Sequence, residues 1–155
     1  MKNTIFNISA LLTGISILIL LLYFVYFGNT TQVDPITMNY YYQLKDKLKN
    51  KGYDDRLWIV STKRGQWHNN LLHYLKTGAA KKSYHLRCKA IDIIVRDVNQ
   101  DGRSDQKDVL IVKNILEKEI VKNNGGVGIY LASNRFFSKQ MVHFDSRGYK
   151  ARWNY

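Results

Sequence analysis

From Asn3 to Val33 the chain carries no charged side chain, and from Ile8 to Phe27 it is almost continuously apolar. A run of roughly twenty such residues suffices to cross a bilayer as a helix. Lys2 precedes the run and the next basic residue is Lys45. That asymmetry favours an orientation with the N-terminus inside and the remainder outside. A cleaved signal peptide is the competing reading, although its apolar core would be shorter and no A-x-A-like cleavage site follows. Residues 1–28 are therefore expected to be an N-terminal transmembrane anchor or signal, residues 29–35 a linker, and residues 36–155 one domain of ordinary size.

The formal net charge of +12 suits nucleic acid, anionic headgroups or anionic wall polymers. The lysines are dispersed over helices and loops without a nucleic-acid-binding motif, so no nucleic-acid partner is expected. The single cysteine, Cys88, excludes an intrachain disulfide, and it lies too far from the N-terminus to carry a lipoprotein anchor.

Apolar spacing predicts helices over 36–49, with Tyr41, Leu44 and Leu48 on one face, and over 66–76, with Trp67, Leu71 and Leu75 on one face. A third is predicted over 106–121, striped by Val109, Val112, Leu116 and Ile120. Short runs predict strands over 56–62, where Leu57 to Val60 reads as buried, and over 90–95, 127–131 and 141–145. The last two are expected to pair antiparallel. Helices and short strands in mixed order indicate an α+β domain.

The chemistry concentrates in Ser83-Tyr84-His85-Leu86-Arg87-Cys88-Lys89-Ala90-Ile91-Asp92, which sets a histidine and a carboxylate seven positions apart. A second histidine, His143, lies in the strand-like run Met141 to Asp145. Two imidazoles and one carboxylate make a three-ligand set for zinc with the fourth position left to water. Such a site supports metal-assisted hydrolysis, because zinc lowers the pKa of water towards neutrality.

The same stretch resembles the S-x-H-x-x-G-x-A-x-D signature of the zinc D-Ala-D-Ala peptidase family, whose fold is shared by the hedgehog signalling domain. Val142-His143-Phe144-Asp145, with Arg147-Gly148 and Arg152-Trp153, resembles the closing motif of a bacterial peptidoglycan-peptidase branch. Gly125-Gly126-Val127-Gly128-Ile129-Tyr130 is similar to the glycine-rich strand before it, and Ser61-Thr62-Lys63-Arg64 with Asn69 resembles an upstream segment. These four blocks, in order, span about residues 36–155. The resemblance implies a hedgehog/DD-peptidase-like fold with a small antiparallel sheet and flanking helices. It also implies zinc held by His85, Asp92 and His143 and bacterial peptidoglycan stem peptides as substrate; with the N-terminal apolar run, the expectation is a single-pass bacterial membrane protein with its C-terminal domain exported. Arg64 would bind a substrate carboxylate through its planar fork or lie on the surface, and Ser83 would hydrogen-bond near the substrate or order the turn.

Two positions depart from the family pattern. An acid expected three residues before the last histidine is Gln140 here. Asp145 is the nearest alternative, either as general base or as a partner orienting a zinc ligand. Cys88 stands where glycine is usual, which leaves three readings: a strained left-handed residue, a fourth metal ligand that closes the site, or a packed thiol.

Residues 97–108 also fit the twelve-residue calcium-loop template. Oxygen donors come from Asp97, Asn99, Asp101, Asp105 and Asp108, with Gly102 at the sharp turn and the Arg103 carbonyl at the seventh position. The alternative is an Asx-rich turn that caps the next helix at Asp105 without an ion. Together the residues and the resemblance lead to a zinc peptidase of the D-Ala-D-Ala carboxypeptidase or endopeptidase type. The alternative is a noncatalytic, zinc-ordered wall-binding module of the same fold.

Overall fold

The computed structural model describes residue 8 and residues 10–20, 32–75, 79–131 and 140–154. Residues 10–20 are helical and exposed, and among the described residues no helix is long and apolar enough to cross a membrane. The rest of the expected anchor over 1–28 and residues 29–31 of the expected linker lie outside the described residues, as does Lys76 at the end of the second expected helix.

Helix α1 runs Pro35–Asn50. Asp34 starts it, accepting hydrogen bonds from the Ile36 and Thr37 amides, and Pro35 supplies a preset φ at the first helical position. Strand β1 (Trp58–Ser61) leads to α2 (Gln66–Tyr74), and a 3-10 turn (Tyr84–Arg87) leads into β2 (Ala90–Ile94). Helix α3 (Gln106–Ile115) opens with a capping box between Asp105 and Asp108 and closes as a π-turn over Leu116–Ile120. Strands β3 (Gly126–Tyr130), β4 (Met141–Asp145) and β5 (Ala151–Asn154) complete the chain.

The five strands form one sheet in the order β1-β2-β4-β3-β5. β2 and β4 sit at its centre, and their apolar residues are buried because helices cover one face. Leu44 and Leu48 from α1 and Val109, Val112 and Leu116 from α3 pack there with Ile91, Ile93, Val127 and Phe144. Wholly burying one side chain of this size is worth about 2–3 kcal/mol, so the two central strands are firmly fixed.

The α+β expectation holds, and the hairpin of β3 and β4 is antiparallel as expected. The sheet is mixed rather than antiparallel throughout, because β5 pairs parallel to β3. After β4 the chain turns back at Gly148, whose φ is +87°. β3 already occupies that edge of β4, so the returning strand takes the far edge of β3 and runs with it.

Two faces differ from the sequence pattern. Trp58 is 54% exposed, because β1 is an edge strand and the indole carries the Arg96 guanidinium on its outer face at 4.5 Å. Helix α2 buries Asn69 and Leu72 while Trp67 is 71% exposed. Asn69 sets that rotation: its amide nitrogen donates to the carbonyls of Ala80 and Lys81 at 3.0 and 3.2 Å.

Candidate metal centre

Asp92 lies mid-strand in β2, and the register pairs it directly with His143 of β4. Side chains opposite each other on neighbouring strands share one face, so sheet pairing alone brings these two groups together. His85 arrives from the 3-10 turn before β2. Ser83 caps that turn by accepting from the His85 amide, and the Arg64 amide donates to the His85 carbonyl at 3.1 Å. The turn is thereby joined to the segment after β1.

All three groups are buried, and their ligand atoms lie within 4.8 Å of one another. His85 Nε2 is 3.2 Å from His143 Nδ1 and 3.1 Å from Asp92 Oδ2, and His143 Nδ1 is 2.7 Å from Asp92 Oδ1. A tetrahedral zinc site with bonds near 2.05 Å has ligand edges of about 3.3 Å. Small outward shifts would therefore seat the ion.

The outer nitrogens decide what the inner ones carry. His85 Nδ1 meets the Thr62 carbonyl, an acceptor, so that nitrogen holds the ring proton and Nε2 presents a lone pair inward. His143 Nε2 meets the Asp145 carboxylate at 3.0 Å, which directs the His143 Nδ1 lone pair inward in the same way. With both rings neutral, two nitrogen lone pairs and a carboxylate face one point and no donor stands between them. Only a cation or an added proton relieves that arrangement, and the donor set is one that zinc favours.

Burial pushes the His85 pKa down to about 4, with Asp92 opposing and Arg64 reinforcing the shift, so this ring is neutral at physiological pH. Burial also works against charge on His143, but the Asp145 and Asp92 carboxylates outweigh it and raise its pKa. Burial pushes the Asp92 carboxyl up, yet His85, Arg64 and His143 together hold it well below the usual range. The centre is thus short of positive charge, which a metal would supply in place of the His143 proton.

The supporting residues explain several sequence expectations. Arg64 donates through Nη2 to Asp92 Oδ2 at 2.5 Å and through Nε to Ser61 Oγ at 3.0 Å, so two of its donors are engaged inside the protein. Asp145 is fully buried, and Arg147 grips it at 2.8 and 2.6 Å while the Gly126 and Arg147 amides add further bonds. It touches the His143 edge that faces away from Asp92. Burial pushes the Asp145 carboxyl up, but Arg147 and His143 reverse this and hold it well below its ordinary value. Ser83 lines the cleft in front of the centre as well as capping the turn. Cys88 adopts φ 59°, ψ 17°, the left-handed conformation feared from the glycine pattern, and it is not one of the three clustered ligands.

Some contributors carried no role in the sequence reading. The Trp153 ring packs 5.1 Å from the His143 ring. Gly128, opposite both in the sheet, permits this, because a Cβ there would fall 2.2 Å from the indole. Arg147 lies between rings, with its guanidinium 4.7 Å from Tyr84 and 5.1 Å from Trp153. The alternation of Gly126 and Gly128 on one face of β3 is the sequence signal that could have exposed this packing. The cleft holds about 260 Å³, and Lys82, Tyr130 and Tyr149 also line it.

The loop over 97–108 is wired differently. Asp97 accepts from the Asp101 and Gly102 amides, Asp101 from the Arg103 amide, and Asp105 from the Lys107 amide. Asn99 bridges by accepting from the Asp101 amide and donating to the Asp101 carboxylate. Asp108 is wholly buried and accepts from the Val98, Asn99 and Asp105 amides. These contacts follow the Asx-turn alternative and give the calcium expectation no support. Among the described residues only His85, Asp92 and His143 gather three metal-ligating side chains.

No curated protein and no solved structure matches the chain. A protein family described as peptidoglycan L,D-endopeptidase MepK matches residues 21–153, a span that includes every strand's site residues and all three converging donors. With most of its length covered, the chain belongs to that family of peptidoglycan metallopeptidases.

Proposed function

We propose that the chain is a zinc-dependent endopeptidase that hydrolyses the peptide stems of bacterial peptidoglycan from an exported, membrane-tethered domain. The observation that carries this reading is the convergence of two imidazole nitrogens and a carboxylate oxygen, with the outer nitrogens of the two rings fixed by Thr62 and Asp145. Zinc held there would acidify water and polarise a scissile carbonyl. The family description favours an L,D bond inside a cross-linked stem over the D-Ala-D-Ala carboxypeptidase bond that the sequence first suggested.

In this scheme Arg64 steadies Asp92 rather than the substrate. Asp145, gripped by Arg147, keeps His143 in the tautomer that offers Nδ1 inward, and it does not act as the base. Trp153 excludes water from one side of His143, which strengthens the electrostatics of the centre. The uncharged N-terminal run would hold the domain at the membrane, and its net charge of +12 would face anionic wall or headgroups.

Purified protein would be assayed on cross-linked and uncross-linked muropeptides, with metal content measured on the same sample and His143→Ala alongside. Zinc near one equivalent, with cleavage that disappears in the variant, supports the proposal, and the products name the bond. The wall-binding alternative is favoured by one observation: Asp92 is the only carboxylate lining the cleft among the described residues. Zinc-loaded protein that retains sacculi but cleaves no stem would decide for that alternative.

A further inference from the structure

Three cationic side chains line the cleft: Arg64, Lys82 and Arg147. Two are bound to buried carboxylates, Arg64 to Asp92 at 2.5 Å and Arg147 to Asp145 at 2.6 Å. Lys82 is exposed and has no anionic partner among the described residues. It stands three positions before His85, on the segment that leads into the ligand-bearing turn. Asp92, the one carboxylate that lines the cleft among the described residues, is already shared by Arg64 and two imidazoles, so it leaves Lys82 without a counter-charge there. The substrate that completes this electrostatic field is an anion, and a lysine is a suitable point-charge partner for a carboxylate.

We propose that Lys82 is a specificity-determining residue that binds a free carboxylate of the stem peptide next to the scissile bond, so that the site selects acidic over amidated stems. This deepens the peptidase reading and rests on it for the identity of the ligand. Arg64 carries the same charge but has two donors committed inside the protein, so the carboxylate contact expected of it from the sequence falls to Lys82. Tyr84 and Tyr149 line the same cleft, with their hydroxyls 3.5 Å apart.

The test is equilibrium binding of short stem peptides that lack the scissile bond to the full zinc-loaded chain. Each peptide is used with its terminal carboxylate free and again as the amide. Wild-type protein is expected to prefer the free acid about tenfold, as a charge-assisted contact would give. Lys82→Gln should erase that preference by weakening only the acid, and Lys82→Arg should restore most of it. Lys81→Gln, which removes an exposed neighbour outside the cleft lining, should leave the preference intact. A preference that survives in Lys82→Gln, that is absent from wild type, or that falls equally in Lys81→Gln overturns the proposal. Turnover of cross-linked muropeptides by the same samples reports separately on the peptidase reading. Lost turnover with an intact, Lys82-dependent acid preference would sink hydrolysis and leave the carboxylate site standing.

Discussion

The metal centre and the 97–108 loop contain the same kind of residue in patterns that both suggest a metal, yet they treat their lone pairs in opposite ways. In the loop, backbone amides point at the carboxylates, and Asp108 alone takes three of them. In the centre, the outer ring nitrogens face acceptors at Thr62 and Asp145, so each ring, when neutral, turns a bare nitrogen inward. Ligand spacing in a sequence reports which atoms could meet. Whether they are free to bind depends on where the nearest donors lie, which is a property of the fold.

The largest expected effect comes from removing an inner donor. His143→Ala should lower zinc affinity by more than about a hundredfold and abolish hydrolysis, since a two-ligand site is left. Asp101→Asn in the loop should leave zinc content unchanged. Equal zinc loss in the two variants, read by metal analysis after dialysis against a weak chelator, would break the distinction between the regions.

Next in size is the loop's own anchor. Asp108→Ala strips an acceptor from three amides around a wholly buried carboxylate. A destabilisation of about 3 kcal/mol is expected, seen as a lower denaturation midpoint in urea. The zinc-loaded protein should lose the same amount, because this term belongs to the fold and not to the metal. Millimolar calcium should not raise the melting temperature of wild type. A calcium-dependent rise that disappears in Asp108→Ala would restore the ion-binding reading of the loop.

An intermediate effect is expected from the outer edge of the centre. Asp145→Asn keeps the shape but weakens the acceptor that holds His143 Nε2–H and releases Arg147. Loss of such an outer partner costs about 10–100-fold in metal affinity. If Asp145 were the general base instead, zinc affinity would hold and only turnover would fall. Measuring both on one variant separates the two roles.

Much of this centre was legible in the sequence because its parts are local or paired. The β-branched run Ala90 to Ile94 announces a central strand, and strand alternation fixes which face carries Asp92. The three inner side chains were therefore identifiable, as was Asp145 in one of its two readings, whereas Thr62 and Trp153 were not. Thr62 contributes only a carbonyl, which any residue supplies, and Trp153 reaches His143 through a strand whose parallel pairing depends on which sheet edge is vacant. Trp67 and Trp58 misled for the same reason. Helical or strand spacing gives a stripe, but Asn69 and the edge position of β1 decide which way it faces.

The smallest effect compares the backbone of the two regions. Each contains one non-glycine residue in the left-handed region, Cys88 beside the centre at φ 59° and Gln100 in the loop at φ 61°. A side chain with a Cβ pays roughly 1 kcal/mol in that conformation relative to glycine. Cys88→Gly and Gln100→Gly should therefore each stabilise the protein by up to about 1 kcal/mol, less whatever their side chains contribute in place. Gln100 donates to the Gly52 carbonyl at 3.0 Å, so its substitution also removes a contact and should gain less. Cys88 is a free, half-buried thiol, and its replacement should give the larger rise in melting temperature without altering zinc content. A fall in stability for Cys88→Gly would mean that thiol packing outweighs backbone strain. A loss of zinc would mean that the turn holding His85 depends on the cysteine side chain, which would join the backbone of the centre to its chemistry in a way the loop does not share.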